Sequence, residues 1–170
     1  PLRRQRQMCI RDRDGVLCAY IEQDGTDVSE RIIEMVNRSR HKGQLRVVMT
    51  DGVTFAGFNV LDIKDVFKKT GLPVIVVTRN LPNMRDVRKA IEHLPSWRQR
   101  WEVIKGAGKI YPVKTKKRAA PVYIQFVGMK RADAEKVVEL SSTHSSIPEP
   151  LRVSHLIATA IVRGEISGRV

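Results

Sequence analysis

The chain is short of acids, aromatics and cysteine, and each shortage narrows what it can be. Eighteen Asp and Glu stand against 31 Lys and Arg, a formal net charge of +13. An excess of that size concentrates polyanions near the surface. Aromatics make up only 5% of the residues, so a ladder of base-stacking rings is not the organising theme. Two cysteines, Cys9 and Cys18, form neither a disulfide framework nor a metal-binding spacing, which points to a reducing, cytoplasmic setting. No apolar run approaches the roughly 18–20 residues of a membrane span, so no membrane partner is expected. The basic N-terminus lacks the apolar stretch of a signal peptide. The phosphate-cradling patterns G-x-x-x-x-G-K-[ST] and G-x-G-x-x-G after a strand are missing, as is a G-x-S-x-G elbow.

What remains is an ordinary globular composition with unusual charge placement. At 170 residues and 42% hydrophobic content, one domain with a full core is expected. Residues 79–118 carry twelve basic and three acidic groups, a net +9. Residues 14–78 are close to neutral. One segment therefore holds most of the excess and reads either as a solvated face or as a nucleic-acid track. Residues 1–13 are rich in Arg and Gln without an apolar period and look like translated adapter sequence. They are set aside as non-native or disordered, leaving 14–170 as the single domain.

Along that domain, strand and helix patterns alternate. Residues 16–21 read as a strand running into the turn Gln23-Asp24-Gly25. Asp27, with Glu30 three residues on, is placed to cap a helix that turns Ile32, Ile33 and Val36 inward. Val47-Val48-Met49 is too short and β-branched for a helix and reads as a buried strand ending at Asp51-Gly52. Asn59 is placed to cap a helix with Ile63, Val66 and Phe67 inside; Gly71 ends it and Pro73 blocks its continuation. Residues 74–77 are continuously apolar, hence a central strand covered on both faces. Asn83 and Asp86 open another helix, and Ser96 a further one whose Trp97 and Trp101 face the core. Strands follow at 110–113 and 122–126, flanking the basic loop 114–118. Helices follow at 131–140 and from 147–148 to about 163. This order argues for an α/β fold.

Three features carry chemistry. Asp24 and Asp51 each end an expected strand before a Gly, and on neighbouring strands both carboxylates would reach one rim. Two carboxylates are a minimum set of hard oxygen ligands for Mg²⁺ or Mn²⁺ in phosphodiester cleavage. Each Asp also fits a plain turn or cap role. Arg79 ends the central strand on the same rim, where a cation holds a scissile phosphate. His155 lies on the last helix, as a ligand, a proton shuttle or a structural imidazole. Lys114, Lys116, Lys117, Arg118 and Arg152 extend the cationic set for nucleic-acid binding. Phe55 and Phe58, just past Asp51, are candidates for contacting a flipped base, or are buried under the following helix. The hydroxyls of Ser141, Ser142 and Thr143 adjoin His144, but no carboxylate orienter is evident nearby, so a serine hydrolase is disfavoured.

Several stretches together resemble a known family: Asp24-Gly-Thr-Asp27, Val48-Met-Thr-Asp-Gly-Val-Thr-Phe-Ala-Gly-Phe-Asn59, Gly71-Leu-Pro-Val-Ile-Val-Val77 and Ile147-Pro-Glu-Pro-Leu-Arg-Val-Ser-His-Leu156. In this order, over about residues 14–168, they resemble endonuclease dU, an archaeal family similar to endonuclease V. The resemblance implies a ribonuclease H-like α/β fold, with a mixed central sheet flanked by helices, and a metal-dependent endonuclease cutting DNA at deoxyuridine and deoxyinosine, with RNA as a further substrate. It assigns Asp24 and Asp51 as metal carboxylates, Arg79 to the position of a strand-end lysine, and Pro148-Glu149-Pro150 with His155 to the family's last helix. The family also begins with a strand bearing Gly-Ile-Asp-Asp, whose aspartate is the first metal ligand. Asp12 and Asp14 do not follow an apolar strand and do not match it, so that strand reads as missing or altered. The competing expectation is a non-catalytic nucleic-acid-binding protein of the same fold. A third is an interaction scaffold whose charge serves solubility.

Overall fold

The computed structural model describes residues 15–115 and 120–163; the segment 1–13 set aside above lies outside them. Strand β1, Val48–Asp51, pairs in parallel with β4, Val74–Thr78, with Asp51 level with Val77. Strand β6, Val122–Val127, runs antiparallel to β4 on its other side, and β5, Tyr111–Val113, runs antiparallel to β6. The sheet order is thus β1-β4-β6-β5, a mixed sheet. A separate hairpin, β2 (Thr54–Phe55) and β3 (Asn59–Val60), follows β1 in the chain and precedes the second long helix, Ile63–Thr70. The α-helices among the described residues are α1 (Val28–Arg38), α2 (Ile63–Thr70), α3 (Met84–Ile91), α4 (Trp97–Gly106), α5 (Arg131–Ser141) and α6 (Glu149–Arg163).

The continuous apolar run became the central strand. Val74, Ile75, Val76 and Val77 are all buried, and alternate residues serve opposite faces. Ile75 and Val77 join Val113, Val122 and Ile124 beneath α5 and the first turn of α6, contributed by Ala134, Val138 and Leu151. Val74 and Val76 join Leu61, Ile63, Val66 and Ala107 beneath α1 and α2. A third cluster of Val60, Ile91 and Ile104 locks the hairpin to α3 and α4, with Trp97 and Trp101 packed against it. Each fully buried valine or isoleucine contributes about 1.5–3 kcal/mol relative to exposure.

Two local expectations are corrected. Residues 16–21 form no strand among the described residues, and Val16, Leu17 and Tyr20 are 56%, 59% and 88% exposed. An apolar run becomes a strand only with a ladder partner, and nothing described pairs with this one. The capping roles expected of Asp27 and Asn59 are also reassigned, to Asn59 for α1 and Asp62 for α2. Asp27 makes no side-chain cap to α1. Instead the fully buried Asn59 accepts a hydrogen bond from the Val28 N–H at 3.1 Å and donates to the Asp27 carboxylate at 2.6 Å. The cap of α1 therefore comes from the hairpin, 31 residues away. Helix α2 is capped by Asp62, which accepts from the N–H groups of Lys64 and Asp65. Gly71, at φ 74°, ends α2 in the left-handed conformation that glycine adopts without strain.

Candidate active site

The strand directions define the site. Strands β1 and β4 are parallel, and β5, antiparallel to an antiparallel neighbour, runs the same way. The residues that follow the carboxyl ends of all three strands therefore share one rim, where open α/β sheets bind ligands. Asp51 is the last residue of β1; Arg79 follows β4 and Lys114 follows β5. At about 4.8 Å per strand, Asp51 stands one strand from the Arg79 position and about 15 Å from that of Lys114. All three are exposed.

The end of β1 is held firmly. The Gly52 N–H donates to the Val77 carbonyl at 2.9 Å, and the buried Thr50 donates its hydroxyl to the Gly52 carbonyl at 3.1 Å. Gly52 turns the chain at φ 79°. Among the described residues, Asp51 has no hydrogen bond or ion pair, so its carboxylate faces solvent on a fixed backbone. The loop after β5 is tied to the loop before α6 by the Thr115 hydroxyl, which donates to the Ser146 carbonyl at 3.0 Å. That contact brings the start of α6 to the same rim.

On that first turn, Arg152 grips Glu149 with two hydrogen bonds, Nε to Oε2 at 2.9 Å and Nη2 to Oε1 at 2.6 Å. The Arg152 hydrogen bonds hold the Glu149 carboxyl down at about 2, with the nearby charges of Arg152 and His144 adding to them against the opposing effect of burial. The Arg152 guanidinium is correspondingly raised and is committed to Glu149 rather than free for phosphate. His144 Nδ1 stands 3.4 Å from Glu149 Oε2 and 3.0 Å from the Thr143 hydroxyl, so the imidazole does find a carboxylate, five residues along the chain. The neighbouring serines are not available as nucleophiles beside it. Ser141 and Ser142 donate to the helix carbonyls of Val137 and Val138 at 2.7 and 2.8 Å. His155 is exposed on α6, which packs against β1. Lys116, Lys117 and Arg118 lie outside the described residues.

Asp24 is placed differently from expectation. No strand leads to it among the described residues. It binds the tip of the β2–β3 hairpin, whereas Asp51 precedes the hairpin's base. The Asp24 N–H donates to the Ala56 carbonyl at 2.8 Å, and its Oδ1 accepts from the Phe58 N–H at 2.8 Å. A Cβ on Gly57, at φ 85°, would lie 2.3 Å from that oxygen, so a side chain there would push the Asp24 carboxylate aside and strain the turn. Among the described residues no group of three or more His, Cys, Asp or Glu side chains converges to hold a cation. Phe55 and Phe58 are half-buried, Phe55 against the α1–α2 cluster and Phe58 against the α3–α4 cluster.

The residue that sequence reasoning missed is Arg100. It is 7% exposed and donates to the carbonyls of Asp24, Gly25, Phe58 and Pro95. A signal was available: Arg100 sits three residues after Trp97 and four before Ile104, on the inward stripe of α4.

Residues 7–162 match the family model described as endonuclease dU. A UPF0215 protein of the archaeon Methanosarcina acetivorans is 53% identical over 156 residues, 92% of this chain and 80% of the relative. A UPF0215 protein of the archaeon Methanothermobacter thermautotrophicus is 50% identical, over 91% of this chain and 75% of the relative. Among solved structures, a protein of unknown function from Archaeoglobus fulgidus superposes with a TM-score of 0.76 at 37% identity, covering 83% of this chain and 78% of that one. The catalytic domain of human endonuclease V superposes with a TM-score of 0.51 at 17% identity, covering 86% and 65%. At that identity the likeness is one of fold.

Proposed function

Because this chain belongs to the endonuclease dU family, we propose that it is an endonuclease of ribonuclease H-like architecture that incises DNA at deaminated bases, deoxyuridine and deoxyinosine. The observation that carries the reading is the rim: a solvent-facing carboxylate, Asp51, one strand from a cation, Arg79. Arg79 neutralises the non-bridging oxygens of the scissile phosphate, a task for which its planar fork suits it. Asp51 orients the attacking water. Lys114 opens the basic loop that tracks the backbone, and Lys116, Lys117 and Arg118 continue that loop in sequence. The hairpin after Asp51, with the accessible edges of Phe55 and Phe58, reads the base. His155 serves as the further polar group of the site, delivered by α6.

Mg²⁺ or Mn²⁺ is the proposed cofactor, with Asp51 as its anchoring carboxylate. The described donor set does not make a closed cage for either ion. Asp24, with Oδ1 committed to the Phe58 N–H, is assigned to positioning the hairpin rather than to metal binding.

The test is nicking of an end-labelled duplex carrying one deoxyuridine, with Mg²⁺ and with EDTA. The chain is expected to nick beside the lesion with Mg²⁺ only, and Asp51→Asn is expected to lose at least about 100-fold. Undiminished nicking by Asp51→Asn would remove Asp51 from the site. A second reading, a non-catalytic nucleic-acid binder, is favoured by the lack of a converging ligand set among the described residues. It predicts salt-sensitive binding without cleavage under any divalent ion.

A further inference from the structure

We propose that Arg100 is a positioning residue for base discrimination, acting through the β2–β3 hairpin; the inference rests on the nuclease reading above. Buried arginines are ordinarily matched by a carboxylate. Here, among the described residues, the buried guanidinium meets only main-chain carbonyls. Those carbonyls belong to three separate segments. Asp24 and Gly25 lie on the turn before α1, Phe58 on the hairpin tip, and Pro95 on the link between α3 and α4. One rigid fork with five donors can serve all three at once, which an ammonium on a flexible stem cannot. Arg100 thereby fixes where the tip stands relative to α4 and, through the short link back to Gly52, relative to Asp51.

Backbone conformation supplies a second, independent observation. Three non-glycine residues among those described have positive φ: Asp24 at 52°, Ala56 at 41° and Ser96 at 56°. All three belong to this one node. Asp24 bonds Ala56 through the backbone, and the Arg100 N–H donates to the Ser96 carbonyl at 3.2 Å. Such conformations persist only where the surroundings over-determine them, and they gather at sites where geometry is used. The strain is spent on a hairpin whose tip residues, Ala56 and Gly57, are exposed beside the rim. Buried anchorage below and exposed tip above is the arrangement expected of an element that presents a fixed surface to a base. A site discriminates between bases only as well as its donors and walls are held in place.

The experiment uses the whole chain and three readouts: nicking of the deoxyuridine duplex under single turnover, binding to the unmodified duplex, and amide exchange across 54–60. In Arg100→Lys the charge is kept but the fork is lost. Exchange at 54–60 is expected to speed up, and lesion nicking to fall at least about tenfold. Binding to unmodified duplex is expected to stay within about twofold, since the exposed cations are untouched. If Arg100→Lys does not fold, Gly57→Ala presses on Asp24 from the tip and should give the same split. Folded variants that nick like the parent, or that lose nicking and general binding in proportion, would overturn the inference. If the parent itself does not nick lesion duplex, the nuclease reading fails and takes this proposal with it. If the parent nicks and the variants nick equally well, only Arg100's role fails.

Discussion

Replacing Asn59 by Ala removes the cap of α1 without touching α1. Asn59 is fully buried, with 0% exposure. It accepts from the Val28 N–H at 3.1 Å and donates to the Glu22 carbonyl at 2.9 Å and the Asp27 carboxylate at 2.6 Å. Val28 is itself 2% exposed, so its orphaned N–H cannot be rehydrated and costs about 1–3 kcal/mol. The Glu22 carbonyl lies nearer solvent and loses about 0.5–1.5 kcal/mol. The expected loss is about 2–4 kcal/mol, or about 4–16 °C in Tm for a domain of this size. Urea unfolding reads it as a lower midpoint at unchanged slope. The pH dependence adds a sign. Asn59 is the largest cause holding the Asp27 carboxyl below its usual 3.8. A depressed carboxyl stabilises the fold fully above its unfolded value and loses that contribution as pH falls below it. The deficit of Asn59→Ala should therefore be greatest above pH 3.8 and narrow in acid. Asn59→Asp keeps the acceptor for Val28 but sets a second carboxylate against Asp27, so its deficit should shrink on acidification as one of the pair takes a proton. A loss under about 0.5 kcal/mol in Asn59→Ala, or a pH-independent deficit in Asn59→Asp, would refute the trans-cap argument.

Two further outcomes follow from the rim. Glu149, held down at about 2 chiefly by Arg152, contributes stability present above its usual 4.5 and lost as pH falls between 4.5 and about 2. Arg152→Gln should move the carboxyl titration seen by NMR back up towards 4.5 and flatten that acid limb. An unmoved titration would show that the two-bond grip is absent in solution. Arg79→Gln and Lys114→Gln should each lower the salt slope of duplex binding by about 0.9, while Lys68→Gln, on the last turn of α2 at the opposite end of the sheet, should not. Equal effects of all three would mean a diffuse basic coat rather than a track.

Elements whose signals are local were legible in the sequence. The β4 run, the Gly71 stop, the Asn83 cap and the α5 period each depend on residues within one or two turns. Asn83 indeed accepts from the Arg85 N–H at 3.1 Å and bonds Asp86 at 2.7 Å. The capping of α1 was not legible, because Asp27 and Asn59 are both good capping residues and only the tertiary fold decides which is near Val28. Asp27 is turned aside by a better donor, the Asn59 amide, and by Arg31 one turn on, with Nε 3.5 Å from its carboxylate. The segment 16–21 shows the complementary error: its residue types suit a strand, but strand identity belongs to a pair, not to a run.

At the site the same division holds. Asp51 and Arg79 were legible because strand-end position and chain direction follow from a short apolar run and its turn, and parallel pairing of β1 with β4 puts both on one rim. The setting of Asp24 was not legible, because two similar Asp-Gly dipeptides suggest two similar strand ends and no described strand leads to Asp24. The structure gives the two aspartates opposite electrostatic situations. Asp51 ends a hydrogen-bonded strand and keeps its oxygens in solvent, so it can meet a cation or a water. Asp24 has one oxygen on a main-chain N–H and a glycine against it, so its carboxylate helps define a turn. Arg100 completes that turn from below and is hidden from residue-type reasoning, because a basic residue in a basic segment is read as surface. Among the described basic residues of 79–118 the one that faces inward is Arg100, distinguished only by helical phase, three after Trp97 and four before Ile104. Counting charge marks the basic segment, but phase marks Arg100, whose guanidinium bonds the hairpin tip at Phe58.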